Sequence, residues 1–218
     1  RGYFARYLHS GHLVFVRQNT LFAARLDLSR LELSGSPQPI LDEIRGGTKS
    51  GARPLDVSDR GTLVYLSGTE RLHEVIAWLD SDGQVQPLHP EAGEYYQPRF
   101  SPDGKHLAFA TATTHGMEIW VQDLDRGTAS PRSFLPGRSW WPLWMPHGDR
   151  ILFSSDNESR RAMYWIRTDG SGDAQQVLET SAQGIPRSIS PDGRRLAFDV
   201  GNEIWIAPIE GDAEHPRL

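Results

Sequence analysis

YYQPRFSPDGKHLAFATATTHGMEIWVQDLDRG, residues 95–127, decides how this chain is read. Residues 96–100 alternate sides, Ser101-Pro102-Asp103-Gly104 turns the chain, and residues 107–110 run back as an apolar strand. A polar loop then leads to a third strand over residues 118–124. Pro102 presets the φ needed at the second position of a tight turn, Asp103 can hydrogen-bond its own backbone, and Gly104 takes the positive φ that a Cβ resists. The turn is therefore specified locally.

The same pattern recurs along the chain. Its turn glycine falls at Gly11, Gly61, Gly104, Gly148 and Gly193, at spacings of 50, 43, 44 and 45 residues. An apolar strand follows each glycine: HLVFV from His12, TLVYL from Thr62, KHLAFA from Lys105, DRILFSS from Asp149 and RRLAFDV from Arg194. A third strand follows in phase: TLFAARLD from Thr20, HEVIAWLDSDG from His73, MEIWVQDLDRG from Met117, AMYWIRTDG from Ala162 and NEIWIAPIEG from Asn202. A weaker fourth strand closes each copy, from Pro37, Val85, Ser130 and Ala174, with the stub HPRL at the C-terminus. First strands begin near Tyr3, Arg53, Tyr96, Trp140 and Ile185.

A period of about 40 to 45 residues with four strands per copy is that of a propeller blade. A sandwich also has short, regularly spaced strands, but nothing makes both of its turns recur in phase. The expectation is an all-β chain: a β-propeller of four-stranded antiparallel blades with five visible repeats, at residues 3–50, 51–93, 94–137, 138–181 and 182–218 of a single domain. A lone blade cannot bury both faces, so neighbours must stack, and the aromatics of strands two and three fill the space between them. Phe15, Tyr65, Phe109, Phe153 and Phe198 share one position, and Trp78, Trp120, Trp165 and Trp205 occupy nearly equivalent ones.

Composition bounds the rest. The 38% hydrophobic content suits a globular core, and no apolar run approaches the roughly 18 to 20 residues of a spanning helix, so membrane insertion is not expected. A net charge of −5 argues against a nucleic-acid surface, although only Lys49 and Lys105 among the 23 basic residues are lysine. With no cysteine, disulfides, thiolate chemistry and Cys-ligated zinc are excluded. The first residues, RGYFARYLHS, lack the charged-then-apolar pattern of a signal peptide; the chain is read as cytoplasmic, or as having lost a leader.

A search for chemistry finds no catalytic residue. No G-x-S-x-G elbow, HExxH, P-loop or dinucleotide fingerprint is present. His9 and His12 flank the first turn without a placed third ligand, and Asp80 and Asp82 in LDSDG lack the alternating oxygens and closing Glu of a calcium loop. The run SSDNES from Ser154 reads as an exposed hairpin loop. No metal site and no cofactor are expected.

Repeats of the form SPDG-[KR]-x-[IL]-A-F followed by EIW-[VI] resemble the TolB-type propeller family. They are carried here by residues 98–109, by SPDGRRLAF from Ser190, by EIWVQDLDRG from Glu118 and by EIWIAPIEG from Glu203. The resemblance spans nearly the whole chain, with HSG from His9 standing in place of SPDG in the first copy, which is most like the opening repeat of propellers linked to bacterial Ser/Thr kinases. It implies a periplasmic or otherwise extracytoplasmic binding protein, or a gating or sensor module of a prolyl-oligopeptidase-type peptidase or a kinase. The family usually has six blades. Five are found here and the last copy stops within its fourth strand, so the expectation is a piece of a longer protein, with a closed five-bladed ring as the alternative. An incomplete ring would leave apolar blade faces open to self-association.

By analogy with the fold, binding residues sit where first strands converge on the central channel. Aligned on the turn, Tyr96 matches Trp140, Gln97 matches Trp141, Arg99 matches Leu143, and Arg187 lies close to that level; Trp144 matches Phe100 as core. The candidate ligand-binding set is Tyr95, Tyr96, Gln97, Arg99, Arg138, Trp140, Trp141 and Arg187. Two exposed tryptophan rings beside Arg138, Arg99 and Arg187 suit an extended peptide or a carboxylate ligand. The plainer reading is that Trp140 and Trp141 plug a wide channel or pack between blades. The leading expectation is a non-catalytic binding or scaffold module for a peptide or protein partner. The alternatives are a sensor or gating domain, and a metal-dependent propeller lyase or lactonase.

Overall fold

Among the described residues, four turns from strand one to strand two close on their glycine. The amides of Gly11, Gly104, Gly148 and Gly193 donate to the carbonyls of Leu8, Ser101, Met145 and Ser190 at 2.8–2.9 Å, with φ of 81, 69, 75 and 72°. In the two SPDG copies the side chains complete the turn. The Asp103 carboxylate accepts from Ser101 Oγ at 2.6 Å and from the Lys105 amide at 3.0 Å, and the His106 amide donates to Ser101 Oγ at 2.9 Å. Asp192 repeats this with Ser190 and Arg194, and the first of these bonds holds its carboxyl below the ordinary aspartate range.

The structure, a computed structural model, describes residues 3–42, 44, 55–58, 62–67, 75–79, 83–88, 93–156, 161–180 and 184–209. Among these the regular elements are strands, and no helix is long and apolar enough to cross a membrane. The start of the second copy at Arg53, Gly61, His73, the acidic pair Asp80 and Asp82, the end of the 154–159 loop, and the HPRL stub lie outside the described residues.

The chain divides into two compact units, Arg1–Tyr95 and Tyr96–Leu218. The first unit holds two four-stranded antiparallel sheets, Tyr3–Tyr7 (β1), His12–Arg17 (β2), Thr20–Asp27 (β3), Glu32–Leu41 (β4), and Leu55–Val57 (β5), Leu63–Ser67 (β6), Val75–Leu79 (β7), Val85–Pro87 (β8), each in sequential order. The second unit begins within Tyr95–Phe100 (β9), which pairs with His106–Thr113 (β10); Gly116–Asp123 (β11) and Thr128–Pro131 (β12) complete that copy. Arg138–Trp144 (β13), Arg150–Asp156 (β14), Arg161–Arg167 (β15) and Gln175–Glu179 (β16) form the next, joined to the previous one by a single parallel bridge, Met117 to Arg138. Gly184–Ile189 (β17), Arg195–Val200 (β18) and Glu203–Pro208 (β19) form the last sheet.

Strand alternation gives every sheet two apolar faces, and neighbouring sheets pack them together. In the first unit Val14, Val16 and Leu21 pack against Leu63, Tyr65 and Ala77. In the second, Ala108, Ile119 and Val121 meet Ile151, Phe153 and Ile166, and then Leu152, Met163 and Trp165 meet Leu196 and Phe198. Register confirms the shared strand-two position: Phe15, Tyr65, Phe109, Phe153 and Phe198 pair across to Phe22, Ala77, Trp120, Tyr164 and Trp205.

The same registers separate the four tryptophans. Trp120 and Trp205 sit opposite the strand-two phenylalanine, whereas Trp78 and Trp165 sit one residue further on, opposite Val64 and Leu152. A one-residue offset moves a side chain to the other face. Trp165 is therefore buried beneath the Arg150 guanidinium, 4.4 Å from its ring centre, while Trp205 is 52% exposed and fills no interior.

Candidate functional site

Three first strands, β1, β13 and β17, are bulged where the sequence aligns them. In β1 the register against β2 shifts around Phe4, and in β13 it shifts against β14 between Trp140 and Leu143. Phe4, Gln97 and Trp141, which occupy one position relative to the turn, all have left-handed backbone, with φ of 51, 48 and 54°. Bulky residues avoid this region, so such a bulge is held by its surroundings and re-aims the side chain it carries. The fifth copy has Pro186 at that place, whose ring forbids positive φ, although β17 still shifts register between Pro186 and Ser188.

The left-handed positions of β9 and β13 are tied together. The Trp141 amide donates to Oε1 of Gln97 at 3.3 Å, and Gln97 is buried. One residue earlier, Tyr96 meets Trp140 edge to face, with ring centres 5.3 Å apart, and Trp140 lies 5.9 Å from Trp141. Three residues further along, Trp144 Nε1 donates to the Arg99 carbonyl at 3.0 Å, and Trp144 is core as its alignment with Phe100 implied. The Tyr95 ring covers Gly93, where a Cβ would stand 2.9 Å from it.

Two features of the predicted set differ in the structure. Tyr96, Trp140 and Trp141 are half-buried against one another rather than exposed. The three arginines are engaged within the fold. Arg99 is buried, its Nη1 donating to the Pro98 carbonyl at 3.0 Å. Arg138, the most exposed of the three, stands 3.5 Å from Asp156, its direct cross-strand partner. Arg187 holds Asp199 through Nε at 2.6 Å and through Nη2. The positive charge that would meet a ligand carboxylate is thus largely met by residues of the chain itself.

Sequence reasoning missed two polar atoms in their place. Among the described residues, the indole Nε1 of Trp141 and the hydroxyl of Ser139 are buried without a hydrogen-bond partner. A buried indole N–H ordinarily finds an acceptor, so an unpaired one is a polar cost carried inside the cluster. Nothing in a single sequence marks it, because the pairing depends on the neighbouring blade. The site therefore presents half-buried ring edges, with the indole N–H covered by the protein itself.

Comparison with known proteins adds the family. The sequence matches the TolB beta propeller domain over residues 60–203, which includes the whole aromatic cluster. This chain belongs to that family. It is 27% identical over 175 residues to the uncharacterized protein Atu1656 of Agrobacterium fabrum, across 78% of this chain and 58% of that protein. The TolB propeller chain thus spans less than two thirds of that relative's length. In fold it is similar to TolB from Acinetobacter baumannii, with a TM-score of 0.66 at 21% identity, covering 92% of this chain and 53% of that one. It is also similar to a puromycin-hydrolyzing peptidase of Mycobacterium tuberculosis, with a TM-score of 0.69 at 16% identity, covering 100% of this chain and 38% of that one.

A second concave surface of the TolB propeller lies at the hairpin end of its third and fourth copies. A groove of ≈870 Å³ is lined by Asp103, His106, Asp123, Arg126, Arg132 and Asp169, among others. Arg132 crosses it, its Nε donating to the Thr168 carbonyl at 2.8 Å. Among the described residues no group of three or more His, Asp or Glu side chains is gathered as a metal site would need.

Proposed function

We propose that this TolB propeller is a non-catalytic binding module that holds an extended segment of a peptide or protein partner across the first strands β9 and β13. The observation that carries the reading is the cluster of half-buried rings, Tyr96 edge to face on Trp140 and Trp140 beside Trp141. Aromatic edges supply contact area at little entropic cost. An extracytoplasmic setting is favoured by the family likeness.

The test is a random-peptide array probed with the wild-type chain and two variants. Trp141→Ala removes the ring beside Trp140 and should weaken the best peptides by about 1–2 kcal/mol. Trp140→Ala removes the edge-to-face partner and should cost about 2 kcal/mol or more. Variants that bind the same peptides as tightly as wild type would sink the proposal, as would cleavage of the peptides by wild-type protein.

A gating or sensor role within a larger enzyme is the second reading. It is supported by the likeness to the mycobacterial peptidase, of which this chain covers 38%.

A further inference from the structure

The groove at the hairpin end of the third and fourth copies takes no part in the proposed peptide site, and no ring of the Tyr96–Trp140–Trp141 cluster lines it. Both of its walls belong to the second unit. One is made by residues 101–106 and by the turn between β11 and β12, the other by the turns at residues 146–148 and 168–169. Its ≈870 Å³ falls inside the range of about 300–1,000 Å³ usual for small-molecule sites.

The turns that build the groove fix its polar side chains and leave part of each one open. Asp103 Oδ1 accepts from Ser101 Oγ and the Lys105 amide, and Asp123 Oδ1 accepts from the amides of Asp125 and Arg126 at 3.0 Å. Among the described residues, Oδ2 of neither aspartate receives a hydrogen bond; Arg126 Nε, on a side chain 81% exposed, stands 3.7 Å from Asp123 Oδ2. Arg132 donates from Nε to the Thr168 carbonyl, and from Nη1 to Ser130 Oγ at 2.7 Å and the Pro131 carbonyl at 3.1 Å. Its Nη2 is left over among the described residues. The groove thus holds unused acceptors and unused donors together.

The charges decide what fits. The carboxylates of Asp103, Asp123 and Asp169 share the groove with the guanidiniums of Arg126 and Arg132. An anion would meet the first set and a cation the second, and like charges brought together cost several kcal/mol. A hydroxyl group meets both, since it donates to a carboxylate and accepts from a guanidinium. Pro102 and Pro146 add apolar surface for the C–H faces of a ring. We propose that this groove binds an uncharged polyhydroxylated ligand, a short saccharide, whose hydroxyls donate to Asp103 and Asp123 and accept from Arg126 and Arg132.

An array of neutral oligosaccharides probed with the full chain tests this, with spermidine and inorganic phosphate titrated separately as cationic and anionic probes. The best saccharide, followed by titration calorimetry, should bind roughly tenfold more weakly to Asp123→Asn and to Arg126→Ala. Asp123→Asn keeps the oxygen that closes the turn and replaces only the open one, and Arg126→Ala removes a side chain already in solvent. Arg195→Ala, which removes an exposed arginine outside the groove, should bind as wild type does. The proposal is overturned if no saccharide binds, if spermidine or phosphate binds in preference, if both groove variants match wild type, or if Arg195→Ala loses as much as Arg126→Ala. If Asp123→Asn does not fold, judged by its thermal melt, Arg126→Ala decides by itself. Peptide binding across β9 and β13 stands or falls separately, because the two sites share no residue.

Discussion

Gly116 shows how closely the third and fourth copies approach. Its φ is 120°, and a Cβ there would lie 2.6 Å from the carbonyl oxygen of Gly137, a backbone atom that cannot swing away. Gly116→Ala should therefore destabilise the fold by about 1–3 kcal/mol, read as a shifted denaturant midpoint. The sequence shows a glycine in a polar loop, and nothing there says that backbone will pass beside it. Trp141 has the same character. Its alignment with Gln97 is legible, but its left-handed φ and its unpaired indole N–H arise only when β9 and β13 lie side by side.

At the level of elements, the SPDG hairpins are the most fully written. Asp103 and Asp192 close their turns by accepting from the serine hydroxyl two residues before and from the amide two residues after. For Asp192 the Ser190 hydrogen bond is the largest influence and lowers its pKa; for Asp103 partial burial opposes the shift, and the bonds from Ser101 and Lys105 outweigh it. A carboxyl that titrates lower folded than unfolded stabilises the fold above its unfolded value, about 3.9, and loses that contribution as pH falls through the folded value. Thermal melts recorded from pH 6 down to roughly pH 2 should fall with acid, and the Asp103→Asn, Asp192→Asn double variant should flatten that slope. An unchanged slope would show that other carboxyls dominate acid unfolding.

Across the whole molecule, stability is a chain of joints between sheets. Phe153 is fully buried where the third copy meets the fourth, so Phe153→Ala should cost about 3–5 kcal/mol. In a repeat architecture the loss is local, and calorimetry should show a broadened or split transition rather than a uniform shift. A single sharp transition, merely displaced, would mean that the joints melt as one.

The repeats, their turns and the strand-two phenylalanine position were determined by the sequence itself, because each rests on interactions a few residues long: turn φ preferences, Asx hydrogen bonds and period-two alternation. Membership of the TolB beta propeller family was legible from SPDG and EIW for the same reason. Only the tertiary structure decided which tryptophans share a face, since Trp120 and Trp165 differ by one step of register against strand two. It also decided that Arg138 and Arg187 meet Asp156 and Asp199, and that Trp141 keeps a donor unused. Each of these depends on a partner brought close by strand pairing or blade packing, and contacts between residues far apart in the chain leave no local pattern to read.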